Sequence, residues 1–223
     1  LPDYLMTVTP ENYGGEEIVI LCREDKAYEI DGGEDASSLM EKAAFNRNAR
    51  VEEYLDVDII SHPVPGSWPL RAQFIEILAN AVSTTDNSFQ LTATHGNYMA
   101  GLTLNDQFWD IMTVEDKIDL DAEWWSQSWI ENATINNKLY FVTGDVSLTM
   151  WEGLYAVFFN RQMANDRYDE IGDLYQLVRD EEWTLAELAM LSDLYIDDGN
   201  DVRDAGDTYG LIMNRHSMRT FIT

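Results

Sequence analysis

Residues 17–22, Glu-Ile-Val-Ile-Leu-Cys, contain a continuous run of apolar side chains at 18–22. A short run without polar alternation is typical of a strand buried on both faces of a parallel sheet. Residues 35–55 follow with apolar side chains near helical spacing, and residues 57–60, Val-Asp-Ile-Ile, predict a second strand. This order of strand, helix and strand predicts a right-handed crossover unit, and therefore an α/β fold with a mostly parallel sheet and flanking helices.

The same alternation continues along the chain. Residues 70–81 carry apolar side chains at helical spacing, and residues 89–93 predict a third strand. The later predicted elements are a tryptophan-rich helix at 121–130, a turn at Asn136-Asn137 leading into a strand at 138–142, a strand at 154–159, and a helix at 184–194. The last helix has the clearest start, because Thr184 and Glu187 have the spacing of a capping box.

Composition limits the partners that the chain can have. Its 223 residues are 45% hydrophobic, which is enough to bury a core, and its formal net charge is -27. That charge repels nucleic acids and anionic membrane surfaces, so neither is an expected partner. The sequence contains no apolar run of bilayer length and no signal-peptide pattern at its start, so we expect a chain that does not span a membrane. Cys22 is the only cysteine and is predicted to be a core thiol.

Four segments carry a resemblance to a known family. They are residues 46–54 (Asn-Arg-Asn-Ala-Arg-Val-Glu-Glu-Tyr) with 57–59, residues 137–142 (Asn-Lys-Leu-Tyr-Phe-Val), residues 155–160 (Tyr-Ala-Val-Phe-Phe-Asn), and residues 182–188 (Glu-Trp-Thr-Leu-Ala-Glu-Leu) with 207–211. In order and spacing they resemble the extracellular solute-binding proteins of bacterial ABC transporters, in particular the carbohydrate-type branch, family 1.

The resemblance implies a periplasmic-binding-protein-like fold of two α/β lobes that close around a ligand. It places the first lobe at 1–153, and a crossing strand with the start of an incomplete second lobe at 154–223. The implied function is non-catalytic capture of a small ligand, most often a sugar or oligosaccharide, for delivery to an ABC transporter permease. The implied location is extracellular, either as a lipoprotein on the outer face of the cell membrane or in the periplasm.

Candidate ligand-binding residues follow from where ligands bind in open α/β sheets, which is outside the carboxyl ends of the strands. The loops after the early strands supply Arg23 and Glu24, then Ser67 and Trp68, then His95, Asn97 and Tyr98. Trp151, just before the predicted crossing strand, is a further candidate because flat indole faces stack on sugar rings. The remaining tryptophans of predicted helices are assigned to packing: Trp124, Trp125, Trp129 and Trp183.

A candidate metal site lies in the acidic loop 197–207. Calcium is bound by six to eight oxygens at alternating loop positions, and Asp198, Asn200, Asp204 and Asp207 fit positions three, five, nine and twelve of such a loop. Ile196 at the first position and Asp201 in place of the usual glycine are departures from the pattern. Calcium is therefore the one cofactor that the sequence suggests, and an acidic turn closing onto Tyr209 is the structural alternative.

Catalysis is not expected. The three histidines, His62, His95 and His216, are far apart, and the chain has no HExxH motif, no GxSxG elbow and no phosphate-binding glycine loop. Acidic pairs are frequent because the chain has 41 acidic residues, and neighbouring carboxylates point in different directions. Two alternatives to a binding receptor remain: a glycan-acting enzyme or carbohydrate-binding module, and a protein-interaction domain that reuses the fold.

Overall fold

The computed structural model describes residues 12–84, 87–103, 108–114, 117–214 and residue 217. The chain divides into two compact units, unit 1 at Leu1–Gly153 and unit 2 at Leu154–Thr223. The interpretation of these units as a first lobe and the start of a second stays a prediction. His216 lies outside the described residues.

Unit 1 is an α/β arrangement with a parallel three-stranded sheet and flanking helices, which confirms the α/β part of the predicted fold class, whereas the periplasmic-binding-protein-like fold stays a prediction. Its strands are β1 (Glu16–Arg23), β2 (Val57–Val64) and β3 (Leu91–Ala93), and its helices are α1 (Leu39–Leu55), α2 (Arg71–Thr84), α3 (Gly96–Thr103), α4 (Gln127–Ala133) and α5 (Leu148–Glu152). Short 3-10 helices lie at Glu24–Glu29, Trp68–Leu70 and Ile111–Val114. The strand order is β2-β1-β3, so the apolar run that opens the fold forms the central strand.

Local chemistry explains where helix α1 begins and how strand β2 accommodates a proline. Helix α1 begins at Leu39 rather than at residue 35, because the Ser38 hydroxyl caps it by accepting hydrogen bonds from the amides of Met40 and Glu41. Strand β2 continues beyond residue 60, the predicted end, and includes Pro63. A proline is tolerated there because β2 lies at the edge of the sheet and needs no hydrogen-bond donor on its outer side.

The core of unit 1 lies between the sheet and the helices that follow β2 and β3. Its buried cluster consists of Leu21, Phe74, Leu78, Tyr98, Met99 and Leu102. Cys22 is also buried, as predicted, and burial raises the pKa of its thiol to about 11. A thiol with that pKa stays protonated at neutral pH, so Cys22 packs as an apolar side chain.

The helix predicted at 121–130 is wrong in its first half. Helix α4 begins only at Gln127, and the backbone of Trp124 and Trp125 pairs instead with the chain at Gly144. The Asp145 amide donates to the Trp124 carbonyl at 2.9 Å, and a β-carbon on Gly144 would overlap that carbonyl. The glycine therefore permits a close backbone pairing that competes with the helix.

The strand predicted at 138–142 is also wrong, although the turn before it is confirmed. Asn136 and Asn137 both have positive φ, at 53° and 61°, and Ile135 and Lys138 exchange two hydrogen bonds of 3.0 Å across them. Beyond the turn, the Leu139 amide donates to the Asp110 carboxylate at 3.0 Å. The segment bonds to this loop instead of continuing a strand ladder.

Unit 2 consists of short helices and a two-stranded hairpin. They are α6 (Arg161–Asp166), α7 (Tyr168–Ile171), α8 (Leu174–Arg179) and α9 (Leu185–Ser192), followed by β4 (Tyr195–Ile196) and β5 (Thr208–Tyr209). The predicted start of α9 is confirmed, because the Thr184 hydroxyl accepts from the Glu187 amide at 3.3 Å. The crossing strand predicted at 154–159 is not part of any sheet within the described residues, since it has no partner strand there.

No helix within the described ranges combines the length and the apolar character that a bilayer span requires.

Candidate functional site

The loops that follow the three parallel strands meet at one edge of unit 1, the carboxyl edge. The Tyr98 hydroxyl, on α3 after β3, donates to the Gly66 carbonyl after β2 at 3.0 Å. The Arg23 guanidinium, at the end of β1, lies 5.8 Å from the centre of the Tyr98 ring. A β-carbon on Gly66 would lie 2.7 Å from both Arg23 Cγ and Phe74 Cδ2, so the loop packs tightly on β1 and α2. The structure therefore brings the three predicted loops together.

Trp68 is the exposed aromatic residue at this edge, with 56% of its surface accessible. Its indole lies 5.9 Å from the His95 ring and 6.4 Å from the Tyr98 ring, measured between ring centroids. Arg71 stacks over the indole at 5.0 Å, and its Nη1 donates to the Trp68 carbonyl at 3.0 Å. These contacts hold the indole in one orientation while leaving much of its surface exposed to a ligand.

His95 and Asn97 are exposed polar residues beside Trp68. The His95 Nδ1 accepts a hydrogen bond from the Asn97 amide at 3.2 Å, and the His95 ring stacks on Tyr98 at 5.6 Å. Because Nδ1 is an acceptor, the neutral imidazole carries its proton on Nε2. The edge therefore presents an imidazole N–H and a carboxamide next to an indole face, which are groups that hydrogen-bond sugar hydroxyls.

Arg23 and Glu24, the candidates from β1, differ in their surroundings. The Nε and Nη2 of Arg23 donate to the two carboxylate oxygens of Asp25, at 3.0 and 2.5 Å. The hydrogen bond from Arg23 lowers the pKa of Asp25, so the pair remains ionised. Arg23 is thus neutralised within the chain. Ser67 directly precedes Trp68, and its carbonyl accepts from the Leu70 amide at 2.8 Å, which closes the turn that carries the indole. Glu24 has no ion pair among the described residues.

Tyr98 is placed differently from its predicted role as a loop ligand contact. It lies in the first turn of α3 and is 2% exposed, as a member of the core cluster. Its hydroxyl is used by the Gly66 carbonyl. The helix begins at Gly96, earlier than the loop prediction assumed, and turns Tyr98 inward, so it positions the loop that carries Trp68.

We predict that Tyr98→Phe destabilises unit 1 without removing ligand affinity. The change leaves the buried Gly66 carbonyl without its donor, which costs about 1–3 kcal/mol. Urea unfolding of both proteins measures this difference, and Tyr175→Phe, at an exposed tyrosine of unit 2, serves as the control within about 0.5 kcal/mol of the parent. Loss of saccharide affinity with unchanged stability would instead show that Tyr98 touches the ligand.

Trp151 is 57% exposed and lies on α5, in the same unit as the carboxyl edge. Two sets of hydrogen bonds join helix α5 and the 3-10 helix after β1. The buried carboxylate of Glu29 accepts from the amide and hydroxyl of Thr149, and Glu152 accepts from Lys26 at 2.5 Å and Tyr28 at 2.6 Å. The ring contacts of Trp68 within the described residues do not include Trp151, so ligand contact by Trp151 stays a prediction.

Arg71, the partner of Trp68, is not among the residues predicted from the sequence. A sequence pattern for this contact exists in Ser-Trp-Pro-Leu-Arg at 67–71. A proline after Trp68 favours the start of a helix, and in a helix residue 71 lies one turn after residue 68, on the same face. The Asp25 pair with Arg23 and the fastening of α5 by Glu29 were also missed. The hydrogen bonds between Glu29 and Thr149 join residues about 120 positions apart, and no local sequence pattern predicts such a contact.

The acidic loop of unit 2 groups three carboxylates. Single oxygens of Asp197, Asp198 and Asp207 lie within 4.8 Å of one another, and this group is the one that could hold a metal in the described part of the chain. Two of the four predicted ligands, Asp198 and Asp207, belong to it. The other two, Asn200 and Asp204, hydrogen-bond to each other at 3.3 Å. Calcium binding stays a prediction, because carboxylate clusters of this kind also occur without a metal.

Asp207 closes the loop onto the hairpin. It accepts hydrogen bonds from the amides of Asp198 and Asp204 at 3.1 and 3.0 Å, and from the hydroxyls of Tyr195 and Tyr209 at 3.1 and 3.3 Å. Desolvation is the largest influence on its pKa and raises it, but the hydrogen bonds together outweigh this and lower the pKa. The predicted turn closing onto Tyr209 is therefore present.

We predict that the hairpin of unit 2 loses stability in acid. The pKa of Asp197 is lowered by amide hydrogen bonds from Gly199 and Asp201, and that of Asp207 is lowered as well. A carboxyl with a lowered folded pKa contributes stability above its unfolded pKa of about 3.9, and this contribution is lost as the pH falls through the folded pKa. Asp207→Asn should therefore lower the unfolding temperature at neutral pH, with a deficit that shrinks toward about pH 3.

Thermal unfolding followed by circular dichroism across this pH range measures the deficit. Asp201→Asn is the matched control, because asparagine tolerates the positive φ of 60° at that exposed position. A deficit that is equal at all pH values would contradict the assignment to the ionised carboxylate.

Unit 2 also contains an apolar groove of about 700 Å³. The residues lining it include Tyr155, Phe158, Phe159, Trp183, Leu188 and Ile212. Phe158 is 94% exposed, and the backbone of 154–159 makes no hydrogen bond to another described residue. Exposed apolar surface of this extent marks a contact site for an apolar group.

Known proteins supply no further information about this site. No family model, no curated protein and no solved structure matches the chain. The resemblance to solute-binding proteins therefore stays a prediction from the sequence.

Proposed function

We propose that this chain captures a saccharide at the carboxyl edge of the unit 1 sheet, as an extracellular solute-binding receptor that delivers its ligand to an ABC transporter permease. The observation that carries the proposal is the exposed indole of Trp68, held by Arg71 and bordered by the polar groups of His95 and Asn97. An apolar ring face beside a few oriented polar groups is what sugar recognition requires. The resemblance to solute-binding proteins supplies the transport context and the two-lobe interpretation of units 1 and 2.

Two ion-paired carboxylates, Asp25 in the segment after β1 and Glu152 in contact with that segment, favour binding over hydrolysis. A glycosidase needs a general acid whose pKa is raised, beside a second carboxylate. The pKa of Glu152 is instead lowered, first by its hydrogen bond from Lys26 and then by that from Tyr28, and Arg23 lowers that of Asp25. Both carboxylates are thus ionised and occupied by cations of the chain, which supports a non-catalytic role.

A thermal-shift screen over sugars, oligosaccharides and peptides tests the proposed function. A ligand that binds only the folded state stabilises it by mass action, by about 2.7 kcal/mol at a hundred times its Kd. We expect at least one saccharide to raise the unfolding temperature, and no turnover of that saccharide by the purified chain. Turnover would establish a glycan-acting enzyme instead, and a screen in which saccharides have no effect would contradict the proposal.

Protein binding is the second candidate function, and the apolar groove of unit 2 is the observation that favours it. An apolar peptide segment is the chemistry that a groove lined by Phe158, Phe159 and Leu188 would accept. In the same screen, a shift with apolar peptides and none with saccharides would favour this function.

A further inference from the structure

We propose that the captured saccharide is acidic, with a carboxylate bound by Arg71 while its sugar ring stacks on Trp68. This inference rests on the proposed function and adds the ligand class. A uronate, in which a carboxylate is attached directly to a pyranose ring, has the required combination of groups. Arg71 has an unused hydrogen-bonding edge and a fixed position over the indole, and these two features support the inference.

The guanidinium of Arg71 has one edge free for a carboxylate. Its Nη1 donates a hydrogen bond to the Trp68 carbonyl at 3.0 Å, whereas Nε and Nη2 have no hydrogen-bond partner among the described residues. The same two nitrogens of Arg23 bind the two oxygens of Asp25 in a bidentate pair. Arg23 therefore shows, at the same edge of the sheet, the interaction that Arg71 is free to make with a ligand.

Arg71 has a structural role in contacting Trp68, and it has no counter-ion among the described residues. The chain has 41 acidic and 14 basic residues, yet within the described ranges no carboxylate lies within 4 Å of this guanidinium. Arg71 is the first residue of α2, where the helix dipole disfavours a cation. Lys26, by contrast, is paired with Glu152 at 2.5 Å. Arg71 is thus one of several described cations without a counter-ion, and it stacks over the exposed indole of Trp68.

One further hydrogen-bond donor beside Trp68 agrees with an anionic ligand, whereas the net charge of the chain opposes one. The Nε2–H of His95 is a further donor close to Trp68, because Nδ1 is occupied by the Asn97 amide. The net charge of -27 repels anions at long range, but salt screens that repulsion beyond about 8 Å at physiological ionic strength. Short-range contacts with Arg71 therefore decide the affinity.

Paired ligands separate the charge from the sugar. We would measure calorimetrically the binding of a galacturonate trisaccharide and of its methyl ester, which has the same rings without the charge, and of the matching glucuronate and mannuronate pairs. The parent protein should bind at least one acid about tenfold or more tightly than its ester. Arg71→Gln should remove this preference, and Arg71→Lys should restore only part of it because lysine lacks the planar fork.

Arg179→Gln, which removes an exposed arginine of unit 2, is the matched control and should keep the full preference. Equal loss of acid and ester in Arg71→Gln would mean that Arg71 only orients Trp68, and the inference would be wrong. It would also be overturned if the parent bound esters or neutral sugars as tightly as acids, an outcome that leaves the proposed function intact. Absence of binding for every saccharide, neutral or acidic, would remove both.

Discussion

Trp68→Ala is expected to weaken saccharide binding by about thirtyfold or more. An aromatic side chain at the centre of a binding site contributes about 2 kcal/mol or more when it is truncated to alanine. Trp68 fits that description because its indole is 56% exposed yet held by Arg71 and His95. Calorimetric titration with the saccharide that gives the largest thermal shift measures the loss.

The matched control is Trp109→Ala, which removes an indole that is also exposed but hydrogen-bonds to Thr113 and makes no ring contact with Trp68 or His95. We expect its affinity to stay within about twofold of the parent, which corresponds to less than half a kcal/mol. Both variants should unfold near the parent temperature, since truncation of exposed side chains has small effects on stability. An equal loss in the two variants would contradict a site at Trp68.

Phe74→Ala is expected to cause the largest loss of stability, about 3–5 kcal/mol. The side chain is 0% exposed, and it packs between Gly66 and the Tyr98 ring, whose centroid lies 6.0 Å away. The cavity left by the ring would lie directly under the loop that carries Trp68. Urea unfolding measures the loss, which is a large part of the total for a domain of ordinary stability.

Ile77→Ala is the control on the same helix, because Ile77 is partly exposed and lies outside the core cluster. It should cost clearly less, about 1 kcal/mol. A similar cost for both variants would mean that α2 is not packed through Phe74 as described. Any saccharide affinity lost in Phe74→Ala should be smaller than that lost in Trp68→Ala, since Phe74 acts only through the loop.

The central part of the fold could be predicted because its signals are local. The run at 18–22 is apolar without alternation, which favours a buried strand, and it forms part of the central strand of a parallel sheet, where Leu21 and Cys22 are buried. Thr184 and Glu187 form a cap within four residues, so the start of α9 was correct. Trp129 packs against Phe141 at 5.5 Å, as its helical position predicted.

The errors arose where distant backbone contacts outweigh local preference. Trp124 and Trp125 read as helical, but their backbone pairs with Gly144 twenty residues later. The segment at 154–159 has the composition of a strand, and no local feature states whether a partner strand is present. Secondary-structure preference is a weak prior that such contacts override.

The candidate site was predictable in part, because the ends of the first three strands are local features of the sequence. The rule that ligands bind at the carboxyl ends of parallel strands correctly grouped Arg23, Trp68 and His95 at one edge. It could not tell that Tyr98 is turned inward, because that depends on the helix beginning at Gly96. Nor could it predict that Arg23 is paired with a carboxylate and Arg71 is not, since the pairing of a guanidinium depends on side-chain positions.

The most direct test of the account is a titration of the ¹⁵N-labelled protein with the best saccharide from the screen, observing the indole N–H resonances. Trp68→Phe assigns the Trp68 signal by its disappearance. We predict that the Trp68 indole N–H resonance shifts as the ligand is added, with a concentration dependence that gives the calorimetric Kd. The Trp109 resonance should not shift. Saccharide binding that shifts other indole signals and leaves that of Trp68 unchanged would contradict a site at the carboxyl edge.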